Sequence, residues 1–564
     1  MHSLIQQLIN RLPLDFRILC RQFLLRVIDL EALSIQADVV GFLGQFAGVL
    51  IMLSIVHATV SYVGFASISE SEARQAFCLH MEHYLIATMM LVVGLFTVLS
   101  WDTTFPDRRD VMVLSPLPVA PHTILFAKVT ASASVLGLAI LTLNCASGVV
   151  VPFLVGVEHG TSWGFYQCLP AYWLTITAAS AFLYCLVLTI QGLTALLFPR
   201  RIFLRLSAFL QLAAFGLFLG VYFLQPSLTT PAEMATAQNH WILEWSPSYW
   251  FFGLFNQMNG TLLPQLSWLA YRAWIGIGAA LSGAVACLLL CYMRTMKKTI
   301  EEPDLVPGAH GLHWMPSFGD SLQTAIALFC IRSLTRSRQH RVAFAFYLAM
   351  VFAMALTWLQ SELSTATPSA LPTDFLMSTF IMMTFAVFGL RSVSALPISL
   401  TANWVLRTTQ LRAPQQYISA TRLSLLLFSV LPSWFISAAL SLPFKPSRNV
   451  VAHLVLLALL GWILAEISLI GFYKVPFTCS YLPGKSNIQL VFWAFFLVCL
   501  PLAASIASIE HDVRNHPFKL ANMAFLFGAV AYGLFVFNRS RARSAILYFE
   551  ELPEEVITTL GLSV

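Results

Sequence analysis

The residues best placed for chemistry lie in a charged segment between two long apolar runs. It contains two acids and two arginines in a row, Asp107, Arg108, Arg109 and Asp110, and the step Leu117-Pro118-Val119 follows shortly afterwards. Charges of both signs can form ion pairs with a soluble partner, and a proline after an apolar residue gives a rigid turn. The arginines could equally face anionic lipid headgroups. The residues alone leave both interpretations open.

The Leu-Pro step occurs twice. A shift of 279 residues places Leu117 and Pro118 on Leu396 and Pro397, and it places Lys128 on Arg407. The repetition suggests two homologous halves, each with a rigid elbow at the equivalent loop.

Polar side chains inside apolar runs form a second set of candidates. Glu466 is the clearest ionisable one, and a charge at that depth costs several kcal/mol, so it should be neutral, paired or facing water. An interhelical hydrogen bond is the alternative to a proton or substrate role. Gln191 has the equivalent position in the first half, and Gln45, His57 and Gln211 complete the set.

Other kinds of chemistry have weaker support in the sequence. Gly484-Lys485-Ser486 resembles the end of a phosphate-binding loop, but the first glycine of that motif would be residue 479, which is a cysteine. The ten cysteines have no metal-ligand spacing. The basic residues are spread over short loops rather than one stripe, which argues against nucleic acid as a partner. We expect no cofactor or metal in this chain.

These residues must be positioned by membrane-spanning helices. The chain is 58% hydrophobic and only 10% charged, with mean hydropathy +0.77, whereas a soluble domain carries about 25% charge. A helix needs about 20 apolar residues to cross the hydrocarbon core. This predicts an all-α polytopic membrane protein with twelve spans, at about 40–64, 82–101, 123–147, 169–197, 206–224, 269–292, 341–360, 374–396, 419–442, 450–473, 488–508 and 517–537.

The placement of lysine and arginine predicts the orientation. With the N-terminus in the cytoplasm, 26 of the 32 basic residues lie at inner ends or inner loops and 6 lie outside. Short loops follow the positive-inside rule. We therefore expect a multi-pass protein of the inner (plasma) membrane with both termini in the cytoplasm.

The regions outside the spans complete the organisation. We expect amphipathic helices over about 12–33 and 320–338, each before one half of the chain. The outer loop at 225–268 is rich in tryptophan and phenylalanine, which suit short helices at the level of the lipid headgroups. The predicted organisation is a first six-helix unit at 1–292, a cytoplasmic linker at 293–318 and a second six-helix unit at 319–564.

The charged segment, the Leu-Pro step and the lysine-containing span after it resemble the loop between the second and third helices of ABC-2-type exporter permeases. In that family this loop contains a coupling helix, and an amphipathic connecting helix precedes each six-helix unit. The resemblance covers the architecture of the whole chain, although its motif evidence is mainly Asp107–Val119. This sequence differs in fusing both units and in having only a short outer loop, about 509–516, before the last span.

The resemblance implies the membrane subunit of an ATP-driven exporter. Its partners would be the lipid bilayer and two copies of a separate ATP-binding subunit, which would bind ATP and Mg²⁺ and contact the two Leu-Pro steps and Asp107–Asp110. Spans one, two, five, seven, eight and eleven would surround a pathway for an amphipathic or lipid-like cargo, with Gln45, His57 and Gln211 along it. The chain itself would not be an enzyme.

Two other functions fit the sequence. One is an ion-coupled secondary transporter, which the shortage of charges in the spans disfavours. The other is a membrane-embedded transferase using Asp102, Asp107 and Asp110, although no HExxH-like pattern accompanies these acids.

Overall fold

In the computed structural model, the described part of the chain consists of helices joined by short turns, and no strand occurs there. Apart from a few isolated residues, the structure describes residues 13–28, 39–100, 112–114, 116–158, 164–224, 239–261, 264–301, 320–337, 371–397, 414–442, 448–478, 488–513 and 516–544. The chain divides into two compact units, Met1–Ala309 and His310–Val564.

Unit 1 contains ten helices in its described part. They are α1 (Leu14–Ile28), α2 (Val39–Ser67), α3 (Ser71–Leu99), α4 (Pro121–Leu143), α5 (Ser147–Glu158), α6 (Gly164–Leu197), α7 (Arg200–Leu224), α8 (His240–Trp245), α9 (Pro247–Asn259) and α10 (Ser267–Glu301), with a short 3-10 turn at Pro264–Leu266.

Unit 2 contains seven α-helices in its described part. They are α11 (Ser321–Arg336), α12 (Thr373–Val393), α13 (Pro414–Leu425), α14 (Leu431–Leu440), α15 (Arg448–Leu469), α16 (Ile488–Val513) and α17 (Pro517–Ser544). A five-residue π-helical segment, Leu426–Val430, joins α13 to α14, so that these form one continuous span.

Nine helices in the described residues are long and apolar enough to cross a membrane. Five belong to unit 1 and correspond to predicted spans one, two, three, four and six, and four belong to unit 2 and correspond to spans eight, nine, ten and twelve. Span five forms α7, whose apolar described stretch is shorter (Ala213–Phe223), and span eleven lies within α16. Span seven, at 341–360, falls largely outside the described residues. The all-α membrane architecture is thus confirmed, and the number twelve stays a prediction.

The third apolar run differs from a single span. Its helix ends at Leu143, and after the turn at Asn144 a separate helix, α5, begins at Ser147. The Tyr172 hydroxyl donates to Asn144 Oδ1 at 2.8 Å, and the Ser54 hydroxyl accepts from the backbone N–H of Ser147 at 3.1 Å. The bond to Ser147 satisfies a backbone N–H at the start of α5, and the bond to Asn144 pairs the side chain of the turn residue, so the break in the helix is tolerable in an apolar surrounding.

The aromatic outer loop forms short helices, as predicted. Tyr249, Phe251 and Phe255 are fully buried among the helices of unit 1, whereas Trp241 and Trp245 are exposed. The loop is therefore part of the packed core of unit 1, because its aromatic rings find partners in α3, α6 and α10. Its depth in the membrane stays a prediction.

Both amphipathic helices are present, and each packs on a span of its own unit. In unit 1, Phe23 of α1 lies against Ala127 and Ala131 of α4, and the Lys128 ammonium lies 5.2 Å from the centre of the Phe23 ring. In unit 2, α11 packs on α13. Asp320 caps α11 in a capping box with Gln323, which fixes where that helix begins.

The packing inside the two units follows the same order along the chain. In unit 1, α3 packs against α6 and α7, and α6 packs against α10. In unit 2, α12 packs against α15 and α16, and α15 packs against α17. These are predicted spans two, four, five and six in the first case and eight, ten, eleven and twelve in the second.

Candidate functional site

The main polar centre of unit 2 is the carboxylate of Glu466, which is 0% exposed. Arg422 places its Nε 2.6 Å from Oε1, and its Nη2 donates to Oε2 at 3.2 Å. Asn538 donates to Oε2 at 2.8 Å and also to the Glu466 backbone carbonyl. Trp462, one turn earlier on the same helix, donates to Oε1 at 3.3 Å. The four residues tie the α13 span, α15 and α17 together.

This arrangement explains how a charged residue is tolerated inside a span. Transferring an isolated carboxylate out of water is very costly, and only pairing together with further hydrogen bonds offsets that cost. Glu466 has one cation and two neutral donors, and the Arg422 guanidinium also lies 4.7 Å from the Phe535 ring centre. Of the three possibilities expected for Glu466, namely neutral, paired or facing water, the structure shows the paired one.

A cavity of about 520 Å³ opens beside this network. Its wall includes Arg422, whose side chain is 14% exposed there while Glu466 behind it is sealed. The other lining residues come from α11, the α13 span and α17: Gln323, Gln415, Gln416, Ile418, Ser419, Leu423, Leu426, Phe535, Arg539 and Ala542. The cavity lies at the predicted cytoplasmic end of unit 2.

The two Leu-Pro steps have different surroundings. Leu117 is 49% exposed and Pro118 is exposed, just before α4 begins at Pro121. Leu396 and Pro397 are half-buried after α12. The charged segment Asp107, Arg108, Arg109 and Asp110 lies outside the described residues.

Contacts with a neighbouring loop account for the burial of the second step. The His340 ring Nε2 lies 2.9 Å from the Leu396 carbonyl oxygen, and Phe477 donates its backbone N–H to the Ser394 carbonyl at 2.7 Å. Phe477 has a φ of 65°, a left-handed conformation that is strained for a bulky residue. Burial lowers the pKa of His340, so the ring is neutral at physiological pH. In the tautomer with hydrogen on Nε2, the ring donates to the Leu396 carbonyl.

The remaining sequence candidates are not brought together. His57 is half-buried with its ring edge-on to Tyr84, while Gln211 donates to the Val98 carbonyl at 2.8 Å and so caps the end of α3. Gln191 is fully buried in α6. Gln45 belongs to α2, and its side chain lies outside the described residues.

Sequence reasoning missed a buried polar cluster near the predicted outer end of unit 1. Glu82 accepts from Asn256 Nδ2 at 3.2 Å, and Asn256 Oδ1 accepts from the Thr261 hydroxyl at 2.8 Å. Next to it, His83 stacks on Tyr249 with ring centres 3.9 Å apart. The prediction began span two at residue 82, but α3 begins at Ser71, so these side chains lie three turns inside the helix.

A second missed cluster lies near the predicted outer end of unit 2. His453 is fully buried, with Nδ1 2.9 Å from Glu510 Oε1 and Nε2 3.0 Å from the Thr379 hydroxyl. Glu510 Oε2 is buried without a hydrogen-bond partner in the described structure. Glu510 fell just beyond predicted span eleven, but α16 continues to Val513. A titratable residue within a few positions of the end of an apolar run was the available signal for both clusters.

No three or more histidine, cysteine or acidic side chains converge in a metal-binding arrangement within the described ranges. No protein-family model matches this chain, and comparisons with curated proteins and with solved structures find no match.

Proposed function

We propose that this chain is the membrane-spanning permease subunit of an ATP-driven exporter of the ABC-2 type, energised by separate ATP-binding subunits. The observation that carries the proposal is the exposed Leu117-Pro118 step at the predicted cytoplasmic end of unit 1. The helix after this step is held by α1 through Phe23 and the buried Lys128. A partner that pushed on the step would therefore move a firmly packed helix pair rather than a loose loop.

The recurrence of the same helix-packing pattern in the two units supports the proposed internal repeat. Three pairs of helices recur in the same chain order, and an amphipathic helix packs on the corresponding span in each unit. Such recurrence is what an internal repeat of a six-helix unit would produce. Unit 2 differs at its Leu-Pro step, where His340 and Phe477 cover part of the surface. We therefore propose that the step of unit 1 makes the stronger contact with an ATPase.

The energy source must come from elsewhere in this proposal. The sequence contains no GxxxxGK[ST] phosphate-binding loop. ATP and Mg²⁺ would be bound by the partner, and the cargo would be amphipathic or lipid-like because the span surfaces are mostly apolar.

The test is co-purification of an ATPase with the full chain and its loss in a double variant, Leu117→Ala with Pro118→Ala. Phe126→Ala is the matched control, because Phe126 on α4 is also exposed, at 59% against 49% for Leu117, but lies within the predicted membrane layer. We expect the double variant to lose the ATPase while keeping its unfolding midpoint, and the control to retain it. Equal ATPase recovery from all three proteins would refute the proposed contact.

A proton-coupled transporter is the second candidate, favoured by the buried His453 and Glu510 pair. Ionisable pairs inside membrane proteins commonly belong to proton pathways. Transport into proteoliposomes separates the two functions: an imposed pH gradient without ATP would drive the second mechanism only.

A further inference from the structure

The cavity beside Glu466 has a cationic wall. Arg422 and Arg539 line it, and none of the described residues that line it carries a carboxylate, because Glu466 lies behind Arg422. No carboxylate of the described residues forms an ion pair with Arg539, which projects from α17 and is exposed. The cavity therefore favours an anion. Arg539 can offer its guanidinium N–H donors to phosphate oxygens, whereas Arg422, whose Nε and Nη2 face Glu466, can add only its remaining N–H groups.

The same cavity is amphipathic along the membrane normal. Gln415 and Gln416 belong to the first turn of α13, at the predicted cytoplasmic end of the span. Leu423 and Leu426 line the cavity two to three turns further into the membrane, together with Phe535 of α17. A small soluble anion would leave this apolar flank unused, whereas a molecule with an anionic head and hydrocarbon tails would cover both parts.

The size and position of the cavity fit a lipid. Its volume of about 520 Å³ lies within the range of roughly 300–1,000 Å³ that is usual for ligand sites. Arg539 precedes the end of α17 by five residues, which is about 8 Å along a helix. The predicted span ends at about residue 537, so Arg539 follows its inner end directly, where basic residues can meet anionic lipid headgroups.

We propose that the cavity between α11, the α13 span and α17 binds an anionic phospholipid, with its phosphate between Arg422 and Arg539 and an acyl chain along Leu423, Leu426 and Phe535. The polar amides of Gln415 and Gln416 donate to the rest of the headgroup. This inference goes beyond the proposed function and does not depend on it, since the site lies within unit 2 and requires no ATPase and no transport.

The test uses the delipidated full chain in detergent and measures retained or rebound lipid by native mass spectrometry. The probes are phosphatidylglycerol, phosphatidylcholine and inorganic phosphate. The decisive variant is Arg539→Gln, and the matched control is Arg541→Gln, which removes the same charge from the same helix two residues away. Arg541 does not line the cavity, and its guanidinium lies 4.6 Å from the Phe537 ring centre.

We expect Arg539→Gln to weaken phosphatidylglycerol binding about fivefold, the effect of one basic residue near an anionic lipid surface, while Arg541→Gln leaves it unchanged. Leu423→Trp, which fills the apolar flank, should reduce binding without changing the charge. Equal losses in both arginine variants, equal binding of phosphatidylcholine, or displacement of the lipid by inorganic phosphate at millimolar concentration would each overturn the proposal.

Discussion

The ion pair of Arg422 and Glu466 predicts an asymmetric response to substitution. The Glu466 carboxylate is sealed, whereas Arg422 has the cavity in front of it. Removing Arg422 leaves the carboxylate without its cation, with only the neutral donors Asn538 and Trp462. Removing the charge of Glu466 instead leaves a guanidinium that can be hydrated from the cavity.

The magnitudes follow from this difference in burial. We expect Arg422→Ala to lower the free energy of unfolding by about 3–5 kcal/mol, the usual cost of breaking a buried pair from one side. We expect Glu466→Gln to cost about 1.5–3 kcal/mol, because it removes one charge-assisted interaction but keeps the amide near Asn538. An apolar double variant, Arg422→Leu with Glu466→Leu, should be more stable than Arg422→Ala, since no charge is left buried.

Equilibrium unfolding of the full chain in mixed micelles, followed by tryptophan fluorescence, measures these differences. Arg541→Ala serves as the control and should change the free energy of unfolding by less than about 1 kcal/mol, as expected for an exposed cation near a ring. Glu466→Gln proving as costly as Arg422→Ala would refute the argument, and so would a cost of Arg422→Ala below about 1 kcal/mol.

Three further predictions concern other parts of the chain. Gly156→Ala should destabilise unit 1 by about 1–3 kcal/mol, because a Cβ there would lie 2.6 Å from a backbone nitrogen of α6. Gly137→Ala is the control and should not destabilise it, because the space around Gly137 is open. The unfolding midpoints of the two variants measure the difference. His453→Ala should cost about 3 kcal/mol in the same assay, because it leaves a buried carboxylate without its partner. The hydrogen bond and charge of Arg272 lower the pKa of Glu244 below its unfolded value of 4.5. This ion pair should therefore stabilise unit 1 above pH 4.5 and lose that contribution as the pH falls through the lower pKa of the folded state. Glu244→Gln should abolish this acid dependence, which is small because the carboxylate is exposed.

The helices that the sequence predicted well are those with a long apolar run and a clear end. Pro121, Pro247 and Pro517 each occupy the first position of a helix, where a missing N–H costs nothing. Hydropathy could not place the outer start of α3, because its first turns carry Glu72 and Arg74 and lower the local average. Those first turns are exposed or half-buried, and burial begins at Cys78.

The candidate site was only partly predictable for the same reason. Glu466 stands out in an apolar run, so its need for a partner could be inferred from the cost of burial. Its actual partners, Arg422 and Asn538, are 44 and 72 residues away along the chain. Tertiary packing decides which helices contact one another, and the hydrophobic periodicity of a single sequence does not identify these helix pairs. The aromatic loop is a second case, since its composition did not indicate that Phe251 and Phe255 are buried among the helices of unit 1.

The last helix of unit 1 has a consequence for how far the chain extends from the membrane. The sequence is apolar as far as Met293, and the helix continues through the charged residues from Arg294 to Glu301. Seven residues at 1.5 Å each amount to about 10 Å along the axis, close to the distance over which physiological salt screens a charge. The helix therefore carries its charged end about one screening length beyond the apolar part of the span. The length of this helix sets that distance, since inserting one helical turn would lengthen it by about 5.4 Å along the axis.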